Sequence, residues 1–349
     1  MSWSLSAARH LRAGGSALTL NRMNSYDEQT HELAIEVRDL RRAYGDVQAV
    51  RGVSFEVHRG EVFCLLGPNG AGKTTIVEIL EGYRNRSGGE ARVLGLDPVS
   101  GSRDLREQVG IVLQNCGVQR DLSVTELLEM YGRYHVKQRP VDEVIELVEL
   151  SEKRDTRAKD LSGGQRRRLD LALALVGDPE LIFLDEPTTG FDPAARRHAW
   201  STIRSLCELG KTVFLTTHFM DEAQYLANRV AVMREGEIIA LGRPDELGGR
   251  DARPAEIRFR LPTAWSLGDL PELASLSRAI DGDHVFVQTT EPVRATNALT
   301  SWALERDIDL GHFSVTQPTL EDIYLELTSS DEEQTESTEH NPTIEEATV

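Results

Sequence analysis

GPNGAGKTT at 67–75 sets three glycines, a lysine and two threonines in an order suited to holding phosphate. It follows EVFCLL (61–66), whose apolar run predicts a buried parallel strand. Gly67, Gly70 and Gly72 allow a tight turn whose N–H groups point inward, with Pro68, Asn69 and Ala71 completing the loop. The helix predicted from Lys73 adds the positive end of its dipole. Lys73 would reach the β- and γ-phosphates of a nucleotide, and the hydroxyl of Thr74, beside Thr75, suits Mg²⁺. A second apolar strand, LIFLDEP (181–187), would deliver Asp185 for Mg²⁺ coordination through water and Glu186 to polarise an attacking water. LSGGQ (161–165) places Ser162, Gly163, Gly164 and Gln165 ahead of RRRLDLALALV (166–176), a helical pattern. This is a second anion-binding helix start, although a helix cap followed by a solvated basic turn has the same pattern. One P-loop with two such starts suggests that the second serves a nucleotide held by a neighbouring molecule.

The elements that must position these groups alternate. EVFCLL, the helix from Lys73, QVGIVLQ (108–114), LIFLD, AARRHAWSTIRSLCEL (194–209) and TVFLTTH (212–218) predict an α/β P-loop NTPase with a mainly parallel core sheet and helices on both faces. LAIEV from Leu33 and VSFEV (53–57) alternate in polarity, so the domain opens with antiparallel strands. VTELLEMYGRYH (124–135) and VDEVIELVEL (141–150) have helical period and form an insertion at about 115–165, read as a lobe able to rotate against the nucleotide core. The hairpin RVAVMREGEIIALG (229–242) turns at Gly236, and PDEL (244–247) would begin a last helix. Beyond it, EIRFRL (256–261), HVFVQTT (284–290) and HFSVTQ (312–317) predict strands, with helices at 292–307 and 319–328, a small α+β domain over 253–328.

These motifs, in this order, resemble the ATP-binding subunit of an ATP-binding-cassette (ABC) transporter over roughly residues 33–247. The resemblance implies ATP and Mg²⁺ as cofactors, and ATP sandwiched between two head-to-tail cassettes, with Ser162 facing the partner's γ-phosphate. It makes Gln114 the Q-loop residue that senses Mg²⁺ and couples to a membrane partner, with the surface near Asp121–Glu126 as the contact. Asp192 in GFDP (190–193) becomes the D-loop residue, where Phe191 replaces the family's usual leucine. His218 becomes the switch histidine on the γ-phosphate, and Tyr44 the aromatic that stacks on adenine. PTLEDIYLELT (318–328) resembles the tail of drug-export-type cassettes of the daunorubicin-resistance kind. The implied function is an exporter ATPase at the cytoplasmic face of the membrane, paired with a separate permease for drugs or other hydrophobic compounds and forming a homodimer. Importer ATPases share the cassette; only the C-terminal domain and the RRRLD helix start favour export.

Composition narrows the remaining classes. The net charge of −18 and pI near 5.0 disfavour a nucleic-acid surface. A soluble ABC ATPase acting on DNA or ribosomes would usually carry a long coiled-coil or zinc insertion or a second cassette, and this sequence has a short insertion and no CxxC. Only five of its 39 basic residues are lysines, a pattern shared by salt-adapted proteins and Arg-rich genomes. Cys64, Cys116 and Cys207 lack metal or redox spacing. Residues 1–32 read as a disordered leader, whose first 26 contain no acid and in which Met23 offers a later start; 329–349 read as an acidic disordered tail.

Overall fold

The computed structural model describes residues 33–100, 102–112, 118–273 and 275–325. The leader, the acidic tail, Gln114 and Cys116 lie outside the described residues. In chain order the elements are β1 (Leu33–Tyr44), β2 (Val47–His58), β3 (Val62–Leu66), α1 (Lys73–Leu80), β4 (Gly88–Val93), α2 (Arg103–Gln108) and β5 (Val109–Val112). Next come α3 (Val124–Gly132), α4 (Val141–Leu147), α5 (Gly163–Leu175), β6 (Leu181–Asp185), α6 (Pro193–Glu208), β7 (Thr212–Thr217) and α7 (Met220–Leu226). β8 (Arg229–Arg234), β9 (Glu237–Gly242), β10 (Ala255–Arg260), β11 (Ser277–Asp281), β12 (His284–Thr289), α8 (Pro292–Glu305) and β13 (Gly311–Thr316) follow.

The central sheet runs β5-β6-β7-β3-β8-β9, parallel except for the terminal β8–β9 hairpin. Its apolar strands are continuous because both faces are buried, and alternate residues serve different cores. Val62, Cys64, Leu66, Ile182, Leu184, Val213 and Leu215 face a core shared with α3 to α7. Phe63, Leu65, Leu181, Phe183 and Phe214 face a second core beneath α1 and the antiparallel sheet β2-β1-β4. There Phe63 and Phe214 stack at 5.7 Å between ring centroids, and Phe183 lies 5.5 Å from Phe214. The phosphate loop is thereby anchored at the C-terminal edge of a strand that is buried on both sides.

The helical insertion shares its buried cluster with the sheet. Leu127, Leu128, Val144, Ile145 and Val148 pack in the same core as Leu169, Ala172 and Leu175 of α5, and that core continues into β3, β6 and β7. α3 and α4 both contact α5, which in turn packs on β5. PDEL departs from its predicted helix. It leads into a short 3₁₀ turn at Leu247–Ala252, where Gly248 and Gly249 take φ of 63° and 69° and stop helical propagation.

The C-terminal segment forms an antiparallel sheet, β11-β12-β10-β13, with α8 against it. Ile257, Phe259, Val285, Val287, Leu299 and Trp302 make its separate core. The helical stretch at 320–325 departs from this domain: Leu320 and Tyr324 pack in the large core with Leu247. Among the described residues no helix is long and apolar enough to cross a membrane.

Candidate functional site

Gly72 makes the P-loop turn possible. It adopts φ 101° just before Lys73 opens α1, and a Cβ there would stand 2.4 Å from the carbonyl oxygen of Ala49. Both the left-handed backbone and the close approach require glycine. Gly72→Ala is expected to lower unfolding free energy by about 2 kcal/mol or more, checked by urea denaturation.

An open cleft of about 450 Å³ is lined by Ala49, Asn69, Gly70, Gly72, Lys73, Thr74, Thr75 and Glu186. Lys73 is 5 % exposed, and its Nζ donates to the carbonyls of Gly67 (2.7 Å) and Pro68 (3.0 Å). Burial pulls its ammonium below the usual range, against the opposing pull of Glu186 and Asp185. A desolvated cation held by its own loop's carbonyls, with the Glu186 carboxylate 3.8 Å away, is poised for an anion.

Asp185 ends β6, buried, and accepts hydrogen bonds from the hydroxyls of Thr216 and, at 3.5 Å, Thr74. This pairing follows from register, since Asp185 lies opposite Thr216 in the parallel β6–β7 ladder. Glu186 comes next with φ 47°, a left-handed conformation that costs about 1–2 kcal/mol in an L-residue. Its N–H donates to the Thr216 carbonyl at 3.1 Å, and its Oε2 accepts from Thr189 Oγ1 at 3.1 Å. Its Oε1 lies 3.2 Å from His218 Nδ1 and 3.8 Å from Lys73 Nζ. One cluster therefore holds a lysine, two carboxylates, a histidine and three threonine hydroxyls. Among the described residues no group of three or more His, Cys, Asp or Glu could hold a metal by itself. The Thr74 hydroxyl and Asp185 carboxylate are nonetheless the hard oxygen donors that Mg²⁺ takes alongside phosphate oxygens.

The LSGGQ turn lies on a separate cleft. Ser162 caps α5 in a capping box: its Oγ accepts from Gln165 N–H at 3.3 Å, and Gln165 Oε1 accepts from Ser162 N–H at 2.9 Å. Cβ positions built on Gly163 and Gly164 would meet nothing within 4 Å. Asp192 does cap work as well, accepting from the N–H groups of Ala194 and Ala195 at the start of α6. Gly163, Gly164, Glu186, Thr189 and Asp192 all border this second cleft of about 470 Å³. Tyr44 is exposed at the end of β1, with the Arg42 and Arg84 guanidinium carbons 4.6 and 5.2 Å from its ring centroid.

Comparison with known proteins agrees with this geometry. Residues 50–189 match the family described as ABC transporter, and residues 255–319 match the C-terminal domain of ABC transporter domain-containing protein-like sequences. A Nod factor export ATP-binding protein I of Rhizobium meliloti is 39% identical over 301 residues, covering 85% of this chain and 88% of that protein. The chain belongs to the ABC transporter ATP-binding family. The protein of the same name from Paraburkholderia xenovorans is 40% identical, covering 85% of this chain and 97% of its own. Among solved structures, cbiO1 of Clostridium perfringens, part of the ABC transporter complex cbiONQ, superposes with a TM-score of 0.56 at 32% identity, covering 61% of this chain and 90% of that one. As an ABC ATPase the chain binds and hydrolyses ATP.

Several contacts of this ABC cassette have no counterpart in the motifs. Thr216 and Thr189 fix the two carboxylates, and Arg167 bonds the backbone that carries them. Thr216 stands two residues before His218, so pairing TVFLTTH with LIFLDE in parallel register is the signal that would have found it. Glu222, fully buried, accepts from Thr188 Oγ1 at 2.7 Å and Trp200 Nε1 at 2.9 Å, tying the turn after β6 to α6 and α7.

A third cavity, about 390 Å³, lies between α1 and the insertion, lined by Glu81, Tyr83, Arg106, Tyr131, His135 and Asp170 among others. Burial, reinforced by Asp185 and Glu78, raises the Glu81 carboxyl from 4.5 to about 8. The folded chain thus keeps a proton that the unfolded chain releases. This contribution to stability is complete below about pH 4.5 and is lost as pH rises through about 8. Glu81→Gln is expected to lose less stability than the wild type between pH 5 and pH 9, measured by denaturant midpoints.

Proposed function

We propose that the chain is the ATPase of an export system, acting as a closed pair of identical cassettes on a separate permease at the cytoplasmic face of the membrane. The observation that carries the paired arrangement is the division of the motifs. Lys73, Thr74, Asp185, Glu186 and His218 share one cluster, whereas Gly163 and Gly164 open onto a cleft that Lys73 and Thr74 do not line and that meets the first at Glu186. A second cassette facing head-to-tail would bring its Ser162 turn to this chain's phosphates. Ser162 and its glycines then supply donors to the γ-phosphate, as a helix N-terminus can.

Lys73 and the inward N–H groups of the loop neutralise and orient the phosphates. Mg²⁺, held by Thr74 and Asp185, with Gln114 sensing it, would supply further charge neutralisation. Glu186 orders the attacking water and His218 holds the γ-phosphate, while Thr189 keeps the carboxylate from turning away. Tyr44 would stack on adenine once Arg42 and Arg84 yield one ring face. Asp192 borders the cleft where the second cassette closes. The surface near Asp121 and Glu126 is our candidate permease contact.

Export, rather than import or a non-transport role, is supported by relatives named for Nod factor export and by the matched C-terminal domain. We assign the cargo to drugs or other hydrophobic compounds, following the resemblance to daunorubicin-resistance-type cassettes. Co-purification with the membrane protein encoded beside its gene tests this reading. ATPase stimulation by such compounds, with efflux from cells or vesicles, is expected; stimulation only by a soluble uptake substrate would reverse the direction.

A further inference from the structure

Arg167 stands five residues beyond Ser162 on α5, its side chain 15% exposed. Its Nε donates to the carbonyl of Pro187 at 3.2 Å, and its Nη2 to the carbonyls of Asp185 at 3.5 Å and Glu186 at 3.4 Å. Its Nη1 lies 4.0 Å from Asp170 Oδ2, which offsets the charge. Successive carbonyls converge on this side chain because Glu186, at φ 47°, curls the backbone after β6. A guanidinium serves several acceptors at once through its planar fork of donors; a lysine ammonium, a point charge, cannot reproduce that arrangement.

All these contacts lie within one chain. The helix whose first turn presents Ser162, Gly163 and Gly164 therefore also grips the backbone of that chain's own Glu186. We propose that Arg167 is a positioning residue for Glu186, holding the left-handed turn so that the carboxylate is placed only while the chain's own α5 is docked. The proposal rests on the reading of Glu186 as the group that orders water. The contacts described above run from Arg167 to the turn after β6 and to Asp170. Loss of Arg167 should misplace the carboxylate and slow hydrolysis while nucleotide affinity stays as it was, because small misplacements cost rate steeply.

The test compares full-length Arg167→Met, Arg167→Gln and Arg167→Lys with wild type, with Glu186→Gln in parallel. For Arg167→Met the expected kcat is lower by about ten-fold or more, with KM within about two-fold. ATP retained per chain after rapid desalting should rise, as in Glu186→Gln, and Arg167→Lys should recover part of the rate. Wild-type kcat in a folded Met or Gln variant would overturn the proposal. Loss of ATP retention together with hydrolysis would also overturn it, by assigning Arg167 to the LSGGQ turn instead. Should the Met variant not fold, the Gln and Lys variants decide by the same rate and retention. Wild-type hydrolysis by Glu186→Gln would remove the reading of Glu186 itself, whereas a dead Glu186→Gln beside an unaffected Arg167→Met overturns only the role of Arg167.

Discussion

Glu186→Gln is expected to bind ATP with near-normal affinity while hydrolysis falls by about 10²–10⁴-fold, the range for loss of a positioned general base. The amide keeps the shape of the side chain and can still accept from Thr189, so the turn after β6 should hold. What disappears is the negative charge beside His218 and Lys73, at 3.2 and 3.8 Å. Substrate binding should survive because the phosphates are held by the loop and Lys73 and not by Glu186. With turnover blocked, the ATP-bound closed dimer should accumulate and be visible by size exclusion in ATP. Hydrolysis within ten-fold of wild type would sink the assignment of Glu186.

The second large effect concerns two chains at once. Ser162→Arg and Lys73→Ala should each abolish hydrolysis in a homodimer, the first by obstructing the turn offered to the partner, the second by removing the cation under the phosphates. Mixed, they restore one complete site per heterodimer, because the Ser162→Arg chain keeps its P-loop and borrows an intact Ser162. About a quarter of wild-type activity is expected from an equal mixture: half the dimers are mixed, and each has one of two sites. Absence of rescue in isolated, folded heterodimers would count against sites built from two chains.

Features that depend on backbone geometry were readable in the sequence, and features that depend on helical phase were not. The P-loop demands glycine where φ is positive, so the residue types themselves announce the turn. Uninterrupted apolar strands likewise announce a sheet buried on both faces. Arg166, Arg167 and Arg168, by contrast, read as a solvated basic turn, yet each reaches a different carbonyl: Leu161 for Arg166, the turn after β6 for Arg167, Glu149 for Arg168. Which one turns toward the site depends on where the helix starts, which Ser162 fixes through its cap. β4, GGEARV, has the composition of a loop and becomes a strand because pairing with β1 buries Ala91 and Val93. β11, SRAID, is an edge strand whose residues are mostly exposed, so it carries no apolar alternation to read. Tyr44 was named only through the resemblance, as the aromatic that stacks on adenine, and nothing in its neighbours' spacing foretold that Arg42 and Arg84 would cover it.

The return of residues 320–325 to the large core alters what the C-terminal domain can do. A domain hung from one linker could swing widely, but this one leaves the cassette after Leu247 and rejoins it at Leu320, both of them buried in that core. Fastening both ends turns the intervening chain into a closed loop, whose freedom was given up on folding. The β10–β13 sheet is thus tethered to the ATP core at both ends, which narrows the range over which it could swing relative to a domain on one linker.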